Sequence, residues 1–240
     1  MNTSNNKILI TGGASGIGFG LTERFLKENN TLIICGRRAE ALADVVRKHP
    51  GVIVRICDLS KEDERLSLYN WIRDEHSDLN VLINNAGIQN WMSVGDAAFY
   101  SRSATEIEIN IMAPLHLCAL FQQLPTLRTI INVTSGLSFV PLSKVPVYCA
   151  TKAFLHSFTW SLRHMVKDKG IEVIEMIPPA LNTDLGGKGL HDGQPSVKDF
   201  VDAVFVQLQA GSQELTFGFS ESMAKAGPLA LKETYHRMNP

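Results

Sequence analysis

Residues 7–26 read KILITGGASGIGFGLTERFL. The first five, KILIT, are a short apolar run with β-branched members and predict a strand. A glycine cluster follows, Gly12, Gly16 and Gly18, interleaved with Ser15 and Ile17. Phe19, Leu21, Phe25 and Leu26 then recur at helical spacing. Strand, glycine-rich turn and helix in that order make a phosphate cradle. Glycine lets the backbone turn sharply and approach an anion closely. The first turn of the helix supplies free N–H groups and a positive dipole end. Glycines also serve plain turns, but this cluster follows a strand and opens a helix, the context that dinucleotide binding requires.

The alternation continues. Residues 31–35 (TLIIC), 52–57 (VIVRIC), 80–84 (NVLIN), 129–133 (TIINV) and 172–177 (EVIEMI) are further strands by the same reading. Between them the spacing predicts helices over 39–49, from a cap at Ser60, Glu62 and Asp63 to about residue 75, and over 104–122 with a kink at Pro114. Later helices are expected over 148–167, 197–208 and within 228–237, with a short strand at 214–219. Residues 88–102 have no clear period, and residues 181–195 are rich in Gly and polar residues and read as a mobile loop. Short apolar strands covered by helices imply an α/β fold, a Rossmann-type doubly wound parallel sheet with helices on both faces. No repeat or linker composition divides the chain, so residues 1–240 read as a single domain with a substrate-lid loop at 181–200.

Composition excludes several classes. The 240 residues carry 23 Lys and Arg against 24 Asp and Glu, a net charge of −1. That balance gives no electrostatic reason to expect nucleic acid or an anionic membrane as partner. The N-terminal MNTSNNK has no signal-peptide core, and no apolar run is long enough to span a bilayer. Cys35, Cys57, Cys118 and Cys149 have no CxxC or metal spacing, and the histidines show no HxxxH pair, so no metal site is expected. The reading is of a reduced, cytoplasmic protein.

The chemistry concentrates in residues 135–152, SGLSFVPLSKVPVYCATK. Tyr148 and Lys152 stand four apart at a helix start and share one face. A nearby cation is expected to lower the phenol pKa, and such a Tyr can exchange a proton with a hydroxyl or carbonyl. Ser135 can hydrogen-bond the same oxygen. At the end of the second strand, Gly36 stands where an acid would bind a ribose 2′-OH, and Arg37 and Arg38 follow. A guanidinium pair suits a 2′-phosphate, so NADP(H) is preferred, with NAD(H) still admitted.

Together these stretches resemble the short-chain dehydrogenase/reductase family over nearly the whole chain. The likeness rests on the glycine motif of residues 11–18, on NNAG at 84–87, on Asn110, Ser135, Tyr148 and Lys152, and on residues 178–183. CGRR, NNAGIQ, VTSGL and PVYCATK extend it to bacterial oxidoreductases of the DltE type. The resemblance implies that Tyr148 is the general acid/base and that Lys152 binds the nicotinamide ribose and tunes Tyr148. Ser135 would orient the substrate oxygen, and Asn110 would hold a water that links Lys152 to solvent. Ser15 and Ile17 would meet phosphate and ribose, Asp58 and Leu59 the adenine, and Asn85 and Gly87 the cofactor cleft. Thr183 and the Leu181 backbone would hold the carboxamide. One departure is Pro179, where the family usually has glycine, so the nicotinamide loop is expected to sit differently.

The resemblance also implies a homodimer or homotetramer formed through the Asn110 and Tyr148 helices. Ile107, Ile111, Leu115, Phe154, Phe158 and Trp160 give those helices more apolar surface than one buried face needs. His156 reads as a packing residue, and Glu106 and Glu108 fall on different helix faces. Trp91 and Met92 are candidates for the substrate pocket. The function expected is transfer of hydride between a nicotinamide cofactor and a small-molecule carbonyl or alcohol. The alternatives are a non-catalytic dinucleotide-binding sensor or scaffold, which the presence of both Tyr148 and Lys152 disfavours, and a nucleotide-sugar epimerase or dehydratase, which the short tail after residue 197 disfavours.

Overall fold

The computed structural model describes residues 1–240. Strands β1 (Lys7–Thr11), β2 (Thr31–Gly36), β3 (Ile53–Ile56), β4 (Val81–Asn84), β5 (Thr129–Val133), β6 (Glu172–Ile177) and β7 (Glu214–Thr216) form one parallel sheet in the order β3-β2-β1-β4-β5-β6-β7. Helices α1 (Gly16–Leu26), α2 (Ala39–Lys48) and α3 (Glu62–Glu75) connect the first four strands. Then come α4 (Phe99–Ile107), a π-helical segment (Glu108–Met112), α5 (Ala113–Phe121) and α6 (Pro146–Met165). The chain ends with α7 (Val197–Gln209), α8 (Phe219–Lys225) and α9 (Pro228–Met238).

The period of two explains both layers. Successive strand side chains point to opposite faces. Ile8 and Ile10 of β1 pack with Ile34 and Ile83 against Leu21 and Phe25 of α1, Leu42 of α2 and Phe205 of α7. Leu9, between them, joins Ile33, Leu82, Ile130 and Val173 against Leu68 of α3, Phe121 of α5 and Leu162 of α6. Both faces therefore bury apolar side chains, and the central strands carry hydrophobic runs without strict alternation. Chain order reverses between β1 and β4, which pair directly. The turn after β1 and the NNAG stretch after β4 therefore meet at the carboxyl edge of the sheet, where open α/β sheets bind ligands.

Four local expectations are corrected. Ser60 does not cap α3; its N–H and hydroxyl both go to the Asp58 carboxylate, at 3.1 and 2.8 Å, and Lys61 takes the cap position. The helix expected from residue 104 begins at Phe99. Its buried residues are Ser103 and Glu106, which hide the apolar period. Residues 197–200, expected in the lid, belong to α7, where Ser196 caps the helix by accepting the Asp199 N–H. The last strand ends at Thr216, not 219. The Gln207 amide fills both backbone positions of Thr216, and Gly218, at φ +55°, turns the chain into α8.

The expected kink at Pro114 takes the form of the π-helical segment, with the Ala113 N–H bonding the Glu108 carbonyl. Proline lacks the N–H that an α-helix would direct at the carbonyl of residue 110, and its ring needs room there. The widened turn gives that room at Asn110.

Phe25 is fully buried, with its ring 4.7 Å from that of Phe205. Phe25→Ala is expected to cost about 3–5 kcal/mol in urea unfolding, the range for a large side chain lost from a packed core.

Candidate active site

A cleft of about 1040 Å³ runs along the carboxyl edge of the sheet. One end is lined by Arg37, Arg38, Asp58 and Leu59, the middle by Gly12, Ser15, Gly16, Ile17, Asn85 and Gly87, and the other end by Tyr148, Lys152, Thr183 and Leu185. Most of the cofactor residues expected from sequence thus share one groove. Gly18 and Leu181 do not line it. A Cβ at Gly18 would stand 2.2 Å from the Gly12 carbonyl oxygen, so this glycine lets α1 pack on the turn. The Leu181 side chain lies in the core beneath α7.

The groove fits a dinucleotide. Gly12 holds φ +65° and packs on Ala86, 3.1 Å from its would-be Cβ, so the turn needs glycine twice over. Ser15 stands at the N-cap of α1 and makes no side-chain cap bond, which leaves the first N–H groups to an anion. Its hydroxyl instead accepts from Arg38 Nη2 at 2.9 Å, so the second-strand arginine reaches across to the phosphate turn. Nothing lies within 4 Å of a Cβ built on Gly36, and its φ is unexceptional. Glycine at 36 is therefore required by neither backbone nor packing; it leaves open space beside the arginines. Burial would raise the Asp58 pKa, but the Ser60 hydroxyl and N–H and the charges of Arg37 and Lys61 outweigh it and hold the carboxyl below its ordinary value.

At the far end Tyr148, Lys152, Ser135 and Asn110 converge, all nearly fully buried. Lys152 Nζ donates to the Val133 carbonyl at 2.8 Å and lies 5.7 Å from the Tyr148 ring centroid. Asn110 Oδ1 accepts the Ile88 N–H at 2.9 Å, while its Nδ2 donates to the Ile88 carbonyl at 2.9 Å and to Thr151 Oγ1 at 3.1 Å. The Asn110 side chain thus clamps the loop after NNAG. Pro114 removes the helical donor to its carbonyl, which leaves that oxygen for another proton donor.

The electrostatics correct one expectation. Burial pushes the Tyr148 phenol well above its ordinary value, opposed by a hydrogen bond with Ser135, while Lys152 does not lower it. Burial also brings Lys152 down to about 8. The i,i+4 spacing brings the two side chains together, but desolvation dominates both.

The sequence reading passed over several residues here. Glu106 is fully buried and accepts from Asn90 through N–H at 3.4 Å and Nδ2 at 3.2 Å. Burial raises its pKa, against those Asn90 bonds. Leu137, Leu142, Val145 and Leu185 form an apolar cluster with Tyr148 and Cys149. The wall beyond them is pinned by backbone bonds. The Met92 N–H donates to the Lys144 carbonyl at 3.1 Å, and Asn239 near the C-terminus accepts from the Ser143 N–H and donates to the Pro141 carbonyl. Despite Pro179, Thr183 reaches the glycine turn, 3.5 Å from a Cβ built on Gly16. Residues 181–195 hold bonds of their own, among them Asn182 N–H to the Pro195 carbonyl at 2.9 Å. Trp91 lies at the rim with Lys144 Nζ 5.7 Å from its ring, and Met92 is buried behind it.

A Tyr–Lys pair and a Ser at one end of a dinucleotide groove define a dehydrogenase or reductase of the short-chain type. The chain belongs to the short-chain dehydrogenase/reductase family: the family profile described as short chain dehydrogenase matches residues 6–192. It is 41% identical to the uncharacterized oxidoreductase DltE of Bacillus subtilis (strain 168), over 100% of this chain and 98% of that protein. It is 31% identical to serine 3-dehydrogenase of Agrobacterium fabrum, over 74% of this chain and 72% of that one. Among solved structures, a Burkholderia cenocepacia short-chain dehydrogenase in complex with NADP superposes with TM-score 0.86 at 25% identity, covering 99% of both chains. The enzyme of Sphingobium yanoikuyae in complex with NADPH gives 0.78 at 25% identity, covering 97% of this chain and 92% of that one. No helix is long and apolar enough to cross a membrane.

Proposed function

We propose that the protein is a cytoplasmic, NADP(H)-dependent oxidoreductase that interconverts a carbonyl and an alcohol, with Tyr148 as its general acid/base. The observation that carries this reading is a single groove lined at one end by Tyr148 and Lys152, with Ser135 hydrogen-bonded to that tyrosine, and at the other by open Gly36 with Arg37 and Arg38. When bound, the nicotinamide supplies or takes the hydride. Ser135 holds the substrate oxygen against the phenol, and Tyr148 gives it a proton in reduction or takes one in oxidation. Lys152 fixes the ribose side, and a water held at Asn110 would link its ammonium to solvent. Thr183 and the Leu181 backbone hold the carboxamide. Residues 181–196 cover the substrate side. The leucines around Tyr148 favour a ketone or aldehyde with an apolar group next to the carbonyl. NADPH oxidation against apolar and polar carbonyls, together with serine and NADP, tests the reading. Tight cofactor binding with no turnover across the panel would favour the sensor instead.

Cofactor choice follows from Gly36. An Asp side chain at this position would enter open space without steric resistance, yet it would repel a 2′-phosphate and accept from a 2′-OH. Gly36→Asp is expected to weaken NADPH about tenfold to a hundredfold, the scale of a lost charge-assisted contact, and to spare or improve NADH. Nicotinamide fluorescence titrations read both. Equal losses for the two cofactors would reject the assignment.

Turnover depends on the phenol proton. Tyr148→Phe keeps the ring and its packing and is expected to lower kcat by about two to four orders of magnitude with NADPH affinity intact. Because burial holds the phenol protonated through neutral pH, reduction should stay flat there while oxidation rises with pH. Initial rates in both directions from about pH 6 to 10 provide the check, and a Phe variant with wild-type turnover ends the mechanism.

The exposed apolar residues support self-association. Ile107, Met112, Phe154 and Trp160 lie about half exposed on α4, the π-helical segment and α6. A homodimer or homotetramer that covers this face should give the corresponding mass by light scattering at micromolar concentration, and Phe154→Glu should shift it to monomer.

A further inference from the structure

Behind Ser135 and Tyr148 lies a second charged pair that the reaction itself does not use. Glu175, in the middle of β6, is fully buried. A carboxylate at that depth is costly unless it is paired and hydrogen-bonded. Both conditions are met. His156 Nδ1 lies 2.9 Å from each carboxylate oxygen, and Thr134 Oγ1 donates to Oε1 at 2.6 Å.

Each partner leads to the candidate site. His156 follows Lys152 by four residues and Tyr148 by eight, so the three share one face of α6. Thr134 immediately precedes Ser135 and lines the cleft. Its N–H bonds the Met176 carbonyl, and the Gly136 N–H bonds that of Pro178, so the end of β5 is fixed to the end of β6 on either side of Ser135. One carboxylate therefore joins the helix that carries Tyr148 and Lys152 to the strand end that carries Ser135.

We propose that Glu175 and His156 are positioning residues: their ion pair, with Thr134, sets the register of α6 against the end of β5 and so the approach of Tyr148 to Ser135. The inference rests on the reading of Ser135 and Tyr148 as the reacting pair. Glu175 raises the His156 pKa, burial opposes it, and of the other charged groups facing the ring Glu214 on β7 raises it and Arg163 on α6 lowers it. Phe139 and Trp160 flank the ring edge-on, with centroids at 4.8 and 5.3 Å, and fix its plane.

The test uses the full-length protein and begins without a substrate. NMR of histidine-labelled protein follows the His156 titration, assigned by its loss in His156→Gln. In the wild type its midpoint should lie above the ordinary value of about 6.5. In Glu175→Gln, which keeps the shape and the Thr134 contact, it should fall to that value or lower. NADPH affinity should stay within about twofold, while kcat falls about tenfold to a hundredfold, as expected for a misaligned reacting pair. An unmoved midpoint would overturn the ion pair. A moved midpoint with kcat unchanged would overturn the positioning role. If Glu175→Gln does not fold, His156→Gln alters the partly exposed partner, and the same split between kcat and NADPH affinity decides. A fully active Tyr148→Phe would defeat the underlying mechanism and leave the His156 titration where it was, so the two failures are distinguishable.

Discussion

Helix α6 lays a polar face on a sheet that is buried on both sides. Tyr148, Lys152, His156 and Thr159 follow one another down that face of α6, and each has to find a partner away from water. Tyr148 meets Ser135, Lys152 meets the Val133 carbonyl, and His156 meets Glu175. Thr159 Oγ1 accepts from Asn132 Nδ2 at 3.0 Å, and Asn132 Oδ1 in turn accepts from Asn84 Nδ2 at 2.9 Å. The seam crosses β4, β5 and β6 and ties them to α6 with directional bonds. An apolar interface of the same size would hold the helix as firmly, yet it would tolerate small slides. Hydrogen bonds between buried groups do not, because a slide leaves donors and acceptors unpaired. The proton transfer proposed between Tyr148 and a substrate oxygen would demand the same fixed geometry. The seam and the chemistry ask for the same rigidity.

The opposite end of the groove works through space rather than contact. Gly36 contributes an absence, a strand end with no side chain within reach, while Arg38 bridges to Ser15 across the mouth of the phosphate turn. The turn and the arginines are thus one unit before any ligand is considered. A phosphate bound there, as proposed, would compete with the Ser15 hydroxyl for a guanidinium already in position, which would limit the side-chain entropy lost on binding.

The parts of this arrangement that the sequence makes legible are those with short periods. The strands stand out because both faces of the sheet are covered, so KILIT and TIINV carry unbroken apolar runs, Ile8–Ile10 and Ile130–Ile131, instead of alternating. Tyr148 and Lys152 stand out because four residues make one turn. What stays hidden depends on partners far along the chain. EVIEMI reads as a strand, but nothing near Glu175 announces that its charge is met by His156, 19 residues earlier. Helix α4 is missed at its start because its inward residues, Ser103 and Glu106, are polar, and Glu106 has its partner in Asn90, 16 residues before it. The pKa of Tyr148 is misjudged for a related reason. Spacing reveals the nearby ammonium, whereas the desolvation that raises the phenol belongs to the assembled fold.

Pro114 shows how one covalent restriction can serve two ends. Without an N–H at 114 the α-helical ladder cannot continue, and the turn widens over Glu108–Met112. The widening turns the Asn110 side chain onto Ile88, where it takes both backbone groups of that residue, and it leaves the Asn110 carbonyl without its helical donor. Glu106, one turn earlier, accepts from the N–H and Nδ2 of Asn90. Two side chains from one helix face therefore fix residues 88–90, and Gln89 between them lies against Gly186 of the covering loop. The floor of the substrate side thus follows from a single proline in a helix that would otherwise run straight.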